Sequence, residues 1–302
     1  MYKFFVKSNQ IKDMNDNINN ERKADKSDKI EKANGEGNNL IATITGEDVN
    51  HISNVLRLAV GEDIIICNND TGQSYNATIA SICKEYVECK IRQEVLDTTE
   101  CPVDIDLFQG LPKSDKMEYI IQKTTELGVK NIYPVEMERC IVKLDSKSAS
   151  KKLERWNKIA EAAAKQSKRD IIPEVKNIIN IENICKNTEK YDIILIAYEN
   201  EEKTTLKTEL QKLKDNKFKE YSTDIKGEAN VKSSDTVKLK IGVVIGPEGG
   251  LSEREVTKLM EAGAKSVSLG KRILRTETAP IVMISDIIYE FEDWKFQPWL
   301  CL

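Results

Sequence analysis

Two runs, Ile193-Ile-Leu-Ile-Ala197 and Ile241-Gly-Val-Val-Ile245, are apolar at consecutive positions without alternation. A strand wetted on one face alternates apolar and polar residues, whereas a strand covered on both faces does not. The pair therefore predicts a mostly parallel sheet with helices on both sides, which is an α/β domain. Strand Ile105-Asp-Leu-Phe108 precedes them and Ser266-Val-Ser-Leu269 follows. The intervening segments read as amphipathic helices. One opens at Asp115 with Glu118 as a capping box, buries Met117, Ile120, Ile121, Thr124 and Leu127, and ends at Gly128. Leu153, Trp156, Ile159, Ala160 and Ala163 mark the next. Ser252 and Glu255 form a second capping box, with Leu251 and Val256 spaced as a hydrophobic staple. A last helix carries the stripe Ile281, Ile284, Ile287, Ile288 and Phe291.

Before Cys101-Pro102 the texture differs, so the chain divides into residues 1–98 and 103–302. Lys3–Val6, Leu40–Ile44, Asp63–Cys67, Ser74–Ala80 and Tyr86–Ile91 are short and β-branched, and Asn69-Asp-Thr-Gly72 supplies a hairpin turn. Such spacing predicts a small antiparallel β-barrel, interrupted by one helix at His51–Leu58. His51 is expected to pack or cap. Residues 11–39 hold seven Asn and thirteen charged residues and no aromatic, too little apolar surface to offset ordering, so 12–38 is read as a disordered insertion. Residues 201–236 are similarly polar and are read as a helix plus a floppy insertion.

Lys plus Arg (46) nearly balance Asp plus Glu (50), and the net charge of -4 gives no general affinity for polyanions. A nucleic-acid site must then be a local patch. Residues 147–170, with eight Lys or Arg and three acids, offer one, although such a run is usually a solvated helix face. The seven cysteines are scattered and there is a single histidine, which argues against a zinc site and for a reducing compartment. No apolar run has membrane-spanning length, and the start lacks a signal-peptide cleavage site, so the expected location is the cytoplasm.

Three strand ends lead into loops: Ala197-Tyr-Glu199, Gly246-Pro-Glu-Gly-Gly250, and Leu269-Gly-Lys-Arg-Ile-Leu-Arg-Thr-Glu-Thr278. Ligands of open α/β sheets sit beyond the carboxyl ends of the strands, so these loops are expected to line one pocket. The glycines allow backbone to approach a flat ligand closely, or they make a tight strand-to-helix turn. The P-loop spacing and the G-x-G-x-x-G fingerprint are both missing, which removes the NTPase and dinucleotide readings.

Together these stretches make the chain similar to the bacterial 16S ribosomal RNA uracil-N3 methyltransferase family of the SPOUT superfamily. The resemblance rests on His51–Leu58, Gln109–Glu118, Thr125–Val129, Glu138–Cys140, Lys158–Arg169, Ile245–Ser252 and Leu269–Ala279, in the family's order and across nearly the whole chain. It implies an N-terminal PUA-like barrel, a C-terminal α/β-knot (SPOUT) domain, a homodimer, and S-adenosylmethionine as cofactor without a metal. It further implies a cofactor site of Glu199, Gly246, Pro247, Glu248, Gly249, Gly250, Leu269, Gly270 and Leu274. Phosphate contacts are expected from Arg57, Lys113, Lys116, Arg139, Lys168, Arg169 and Arg272, with 16S rRNA of the small ribosomal subunit as partner. Pro280 departs from the usual small residue there, but in a first helical turn it loses no hydrogen bond.

A uridine imide that loses its proton spreads charge onto its carbonyl oxygens, where a fixed guanidinium stabilises it; Arg275 is the candidate. Glu277 either accepts that proton or is a carboxylate favoured by a helix N-terminus. Two rival readings are a related enzyme that methylates a ribose 2′-hydroxyl, and a ribosome-assembly factor without turnover.

Overall fold

The computed structural model describes residues 1–13, 40–224 and 238–291. The chain divides into two compact units, Met1–Glu100 with Lys168–Ile172, and Cys101–Ser167 with Pro173–Leu302. Most of the disordered insertion expected at 12–38, and the floppy part of the one expected at 201–236, lie outside the described residues.

The first unit is a six-stranded sheet ordered β1 (Lys3–Val6), β4 (Asp63–Asn68), β5 (Ser74–Ile82), β6 (Tyr86–Val95), β3 (Leu40–Thr45) and β2 (Ile11–Asp13). Every pairing is antiparallel except β1 with β4, which run parallel. Alternate residues face one core built on Phe4, Ile44, Ile64, Ile66, Ile79 and Val87. The expected turn at Asn69–Gly72 forms, closed by the Gly72 N–H donating to the Asn68 carbonyl at 2.8 Å, with Gly72 at φ 76. Strand β2 corrects the insertion boundary, because Lys12 and Asp13 pair with Ile41 and Leu40. The helix expected at His51–Leu58 starts earlier, as α1 (Glu47–Asn50), and continues as a π turn over His51–Val55 with His51 exposed.

Segment Lys168–Ile172 joins this unit through a buried carboxylate. Asp170 accepts from Lys3 Nζ at 2.6 Å, Ser74 Oγ at 2.8 Å, the Thr99 N–H at 2.8 Å and Thr98 Oγ1 at 3.1 Å. Burial pushes this carboxyl up, but Lys3 and the Thr99 and Ser74 donors outweigh that and hold it below its ordinary value. Arg169 is 3% exposed and pairs with Glu100.

The second unit is a sheet ordered β10 (Ile179–Asn180), β8 (Asn131–Glu136), β7 (Asp104–Gly110), β12 (Lys240–Ile245), β11 (Ile193–Ala197) and β13 (Lys265–Val267), with β9 (Glu174–Val175) beside β8. All its pairings are parallel. The unalternating runs have the expected cause. Ile241, Val243 and Leu195 enter one core with α2 (Lys116–Leu127), α3 (Ser146–Gln166), α5 (Leu206–Asp224) and α7 (Ala279–Phe291). Val244, Ile194 and Ile196 enter another with α4 (Ile181–Cys185) and α6 (Glu253–Glu261).

Ser252 caps α6 with Glu255 as a full capping box, and Leu251 and Val256 share a core. The box expected at α2 does not form. Asp115 stands at the N-cap with ψ 7 rather than extended, so its side chain makes no cap bond, and Glu118 instead accepts from Arg155 at 2.8 Å. Gly128 ends α2 at φ 110. In α7 the buried stripe includes Met283, while Ile281 and Ile288 are only partly covered.

Candidate active site

Parallel pairing of β11 with β12 and with β13 puts three carboxyl ends on one side of the sheet. The loops leaving those ends enclose a cavity of about 510 Å³ lined by Ala197–Glu199, Ile245–Leu251, Ser268–Thr276, Ala279 and Lys116. That size falls in the roughly 300–1,000 Å³ range of small-molecule sites.

The second loop is a tight turn with backbone at its surface. Gly250 has φ 69, and its N–H donates to the Pro247 carbonyl at 2.9 Å. A Cβ at Gly250 would lie 2.5 Å from Glu199 Oε1, and one at Gly246 would lie 2.8 Å from the Gly250 carbonyl carbon. The glycines thus form the tight strand-to-helix turn, which leaves backbone facing the cavity. Behind the turn, Arg139 Nη1 donates to the Gly249 carbonyl at 2.9 Å. Ser252 Oγ donates to Glu138 Oε2 at 2.7 Å and the Glu138 N–H to Glu255 Oε1 at 2.8 Å, so segment 138–139 backs the turn.

In the third loop Gly270 sits at φ 112 with open space where a Cβ would be. Leu269 and Leu274 pack their side chains on the core. Arg275 is 81% exposed at its side chain, whereas Thr276 is buried. Glu277 Oε2 forms an ion pair with Lys116 Nζ at 3.0 Å, and its Oε1 lies 4.0 Å from Arg275 Nη1. Lys116 also reaches Glu248 Oε1 at 3.2 Å, and the Lys113 N–H donates to Glu248 at 3.1 Å. Burial pushes both carboxyls up, but each one's own backbone N–H and the Lys116 ammonium, with the Lys113 N–H at Glu248, outweigh it and hold them below the ordinary value. The Glu277 carboxylate, and then Glu248, pushes Lys116 up.

The cavity therefore gathers all nine residues expected around the cofactor, and adds Lys116, Arg272 and Arg275 to its wall. The residues expected on RNA separate. Arg57 and Lys168 are exposed in the first unit, and Lys113 and Arg272 are exposed in the second. Three depart from a simple phosphate-contacting role. Arg169 is buried against Glu100, because segment 168–172 folds into the first unit. Lys116 is engaged by two carboxylates in the cavity, and the Arg139 guanidinium supports the glycine turn. On α3, Arg155, Lys158 and Lys165 are paired with Glu118, Glu154 and Glu161, which reduces the charge of the basic run.

Sequence reasoning missed Gln109 and Thr276. Gln109 Nε2 donates to Thr276 Oγ1 at 3.0 Å, and Thr276 Oγ1 donates to the Gly246 carbonyl at 2.7 Å. The available signal was a glutamine, Gln109, beside Gly110 at the carboxyl end of β7. Among the described residues no helix is long and apolar enough to cross a membrane.

Known proteins resemble the chain over both units. A family model described as RNA methyltransferase domain matches residues 99–288, and one described as RNA methyltransferase PUA domain matches residues 44–92. A Bacillus subtilis protein named ribosomal RNA small subunit methyltransferase E is 38% identical over 254 residues, 83% of this chain and 90% of that one. An Aquifex aeolicus protein of the same name is 32% identical over 248 residues, 82% of this chain and 93% of its own. The crystal structure of a ribosomal RNA small subunit methyltransferase E from Neisseria gonorrhoeae bound to S-adenosyl methionine aligns with a TM-score of 0.64 and 28% identity, covering 95% of this chain and 96% of that one.

Proposed function

The chain belongs to the RNA methyltransferase family and carries a match to its PUA domain, and from that premise we propose that its second unit is an α/β-knot (SPOUT) domain that methylates N3 of a uridine near the 3′ end of 16S rRNA, using S-adenosylmethionine. One observation carries this reading: three strand ends converge on a single glycine-lined cavity that has an exposed guanidinium, Arg275, on its rim.

The cavity suits the cofactor. The Gly246–Gly250 turn presents backbone where an adenosyl group needs close approach, Gly270 leaves room, and Leu269 and Leu274 give apolar surface. The carboxylates of Glu199 and Glu248 complement a ligand that carries an ammonium and a sulfonium. When bound, S-adenosylmethionine supplies an electrophilic methyl on a positively charged sulfur. Glu199, Gly246, Pro247, Glu248, Gly249, Gly250, Leu269, Gly270 and Leu274 hold it.

The protein's own work is alignment and charge stabilisation, so the chemistry needs no metal. Arg275, whose side chain is 81% exposed, stabilises the pyrimidine oxygens as they turn anionic. Glu277 is ionised and shares its charge with Lys116, which favours an electrostatic role at the loop over that of a free base. Arg57, Lys113, Lys168 and Arg272 supply exposed cations for phosphates. The working form is a cytoplasmic homodimer acting on the small subunit, which the family resemblance supports.

The test incubates the protein with methyl-labelled cofactor and small-subunit RNA, free and assembled, and digests the product to nucleosides. Labelled N3-methyluridine is expected. Label on a ribose 2′-oxygen would make the chain the related 2′-hydroxyl enzyme. Calorimetry that finds no cofactor uptake would return it to a non-catalytic assembly role.

A further inference from the structure

Gln109 is the last residue but one of β7, and nothing in the reaction above uses it. It is fully buried, and Thr276, 167 residues away in sequence, is buried with 6% of its surface exposed. The directions of the bonds between them are fixed by valence. The Gly246 carbonyl can only accept, so the Thr276 hydroxyl spends its one proton there, at 2.7 Å. Toward Gln109 that oxygen must therefore accept, which puts the amide nitrogen, not the amide oxygen, against it at 3.0 Å. The second amide N–H goes to the Gly110 carbonyl at 3.1 Å, and Oε1 is left buried without a partner among the described residues. An unpaired buried oxygen is unfavourable, so the amide is held in this orientation by its two donor bonds together.

The chain of bonds links two walls of the cavity to a third strand end. Gly246 starts the turn assigned to the cofactor, and Thr276 stands directly between Arg275 and Glu277. Gly110 completes the support, since a Cβ there would lie 2.7 Å from Pro247. The end of β7 thus backs the glycine turn and the Arg275 loop at once.

Resting on the methyltransferase reading, we propose that Gln109 and Thr276 are positioning residues whose hydrogen-bond relay to the Gly246 carbonyl holds the Arg275 arm in register with the cofactor turn. Neither touches the reacting atoms. Each fixes where the next group stands, and a misplacement of a catalytic group by about 1 Å can cost on the order of 100-fold in rate.

The experiment compares the parent with Thr276→Val, Thr276→Ser, Gln109→Leu and the double variant Gln109→Leu/Thr276→Val, all in the full chain. It measures thermal unfolding, cofactor Kd by calorimetry, and kcat on small-subunit RNA. Thr276→Val keeps the shape of the side chain and removes the relay hydroxyl, so the fold is expected to persist. Expected is a fall in kcat of roughly tenfold to a hundredfold with Kd changed only a few-fold, as a single hydrogen bond allows. Thr276→Ser should recover kcat, and the double variant should be no worse than the poorer single one. The relay is overturned if kcat of folded Thr276→Val stays within twofold of the parent, if Thr276→Ser is as impaired as Thr276→Val, or if the two single losses multiply in the double. Should Thr276→Val fail to fold, the Thr276→Ser and Gln109→Leu values of kcat decide by the same criteria. A parent that takes up no cofactor would instead remove the methyltransferase reading, and the relay with it.

Discussion

Lys116 Nζ stands 3.0 Å from Glu277 Oε2, so one ammonium ties the first residue of α2 to the loop that carries Arg275. The same nitrogen reaches Glu248, and both carboxyls are held low while the lysine is pushed up. A depressed carboxyl contributes above its ordinary value and loses that contribution as pH falls through the depressed value. A raised lysine contributes below its ordinary value and loses it only as pH rises through the raised one. The triad is therefore intact across neutral pH. In Lys116→Met the two carboxyls lose their cation and their pKa values rise, with Arg275 left as the nearby charge on Glu277. The acid limb of the rate profile should move to higher pH; an unmoved limb means that neither carboxylate governs activity.

Arg275→Ala should lower turnover by about 100- to 1,000-fold, the usual loss when one stabilising donor is removed. Its side chain is 81% exposed and its ion pair with Glu277 is long, at 4.0 Å, so cofactor affinity and melting temperature should stay near the parent's. Turnover close to normal would strip Arg275 of its role.

Gly250→Ala places a side chain at φ 69 and within 2.5 Å of Glu199 Oε1. The left-handed backbone alone costs roughly 1–2 kcal/mol for a residue with a Cβ. Calorimetry should find cofactor affinity greatly weakened. Gly249→Val is expected to act likewise, through a 3.1 Å approach to Arg139 Cβ. Unchanged affinity in both would take the turn out of the site.

Asp170→Asn should destabilise the first unit by ~1–3 kcal/mol, because the partly covered Lys3 ammonium loses its carboxylate and keeps only the Lys168 carbonyl, at 2.8 Å. The Asp170 carboxyl is depressed, so its contribution is present above the ordinary aspartate value and disappears as pH falls through the depressed one. Thermal unfolding of parent and variant should therefore differ at neutral pH and converge in acid. Equal melting temperatures at neutral pH would show that the cluster adds nothing.

Strand β2 distinguishes a deletion that begins after Asp13 from one that follows the expected 12–38 boundary. Joining Asp13 to Leu40 through a short turn keeps their antiparallel pairing and should preserve melting temperature and activity. Removing 12–38 takes Lys12 and Asp13 from that pairing and should melt lower. Identical melting curves would make β2 dispensable.

Much of the scaffold was legible because its signals are local. Two unalternating strands imply covered faces, and Ser252 with Glu255 implies a helix start, whatever lies elsewhere. The convergence of three loops followed from the same logic, since parallel strands place their carboxyl ends together. The Asp115 box failed for a reason that composition does not encode, a backbone turned out of the capping conformation.

What tertiary structure alone decided is the assignment of individual polar side chains. Arg169, Lys116 and Arg139 are all cations in one sequence pattern, yet one is buried against Glu100, one is shared by two carboxylates and one props a glycine turn. Gln109 and Thr276 meet across 167 residues. A side chain's charge and hydrogen-bonding capacity are written in the sequence, but its partner is chosen by where the chain returns in space. The sequence by itself therefore determined the layers and the location of the cavity, while the division of labour within it was settled only by packing.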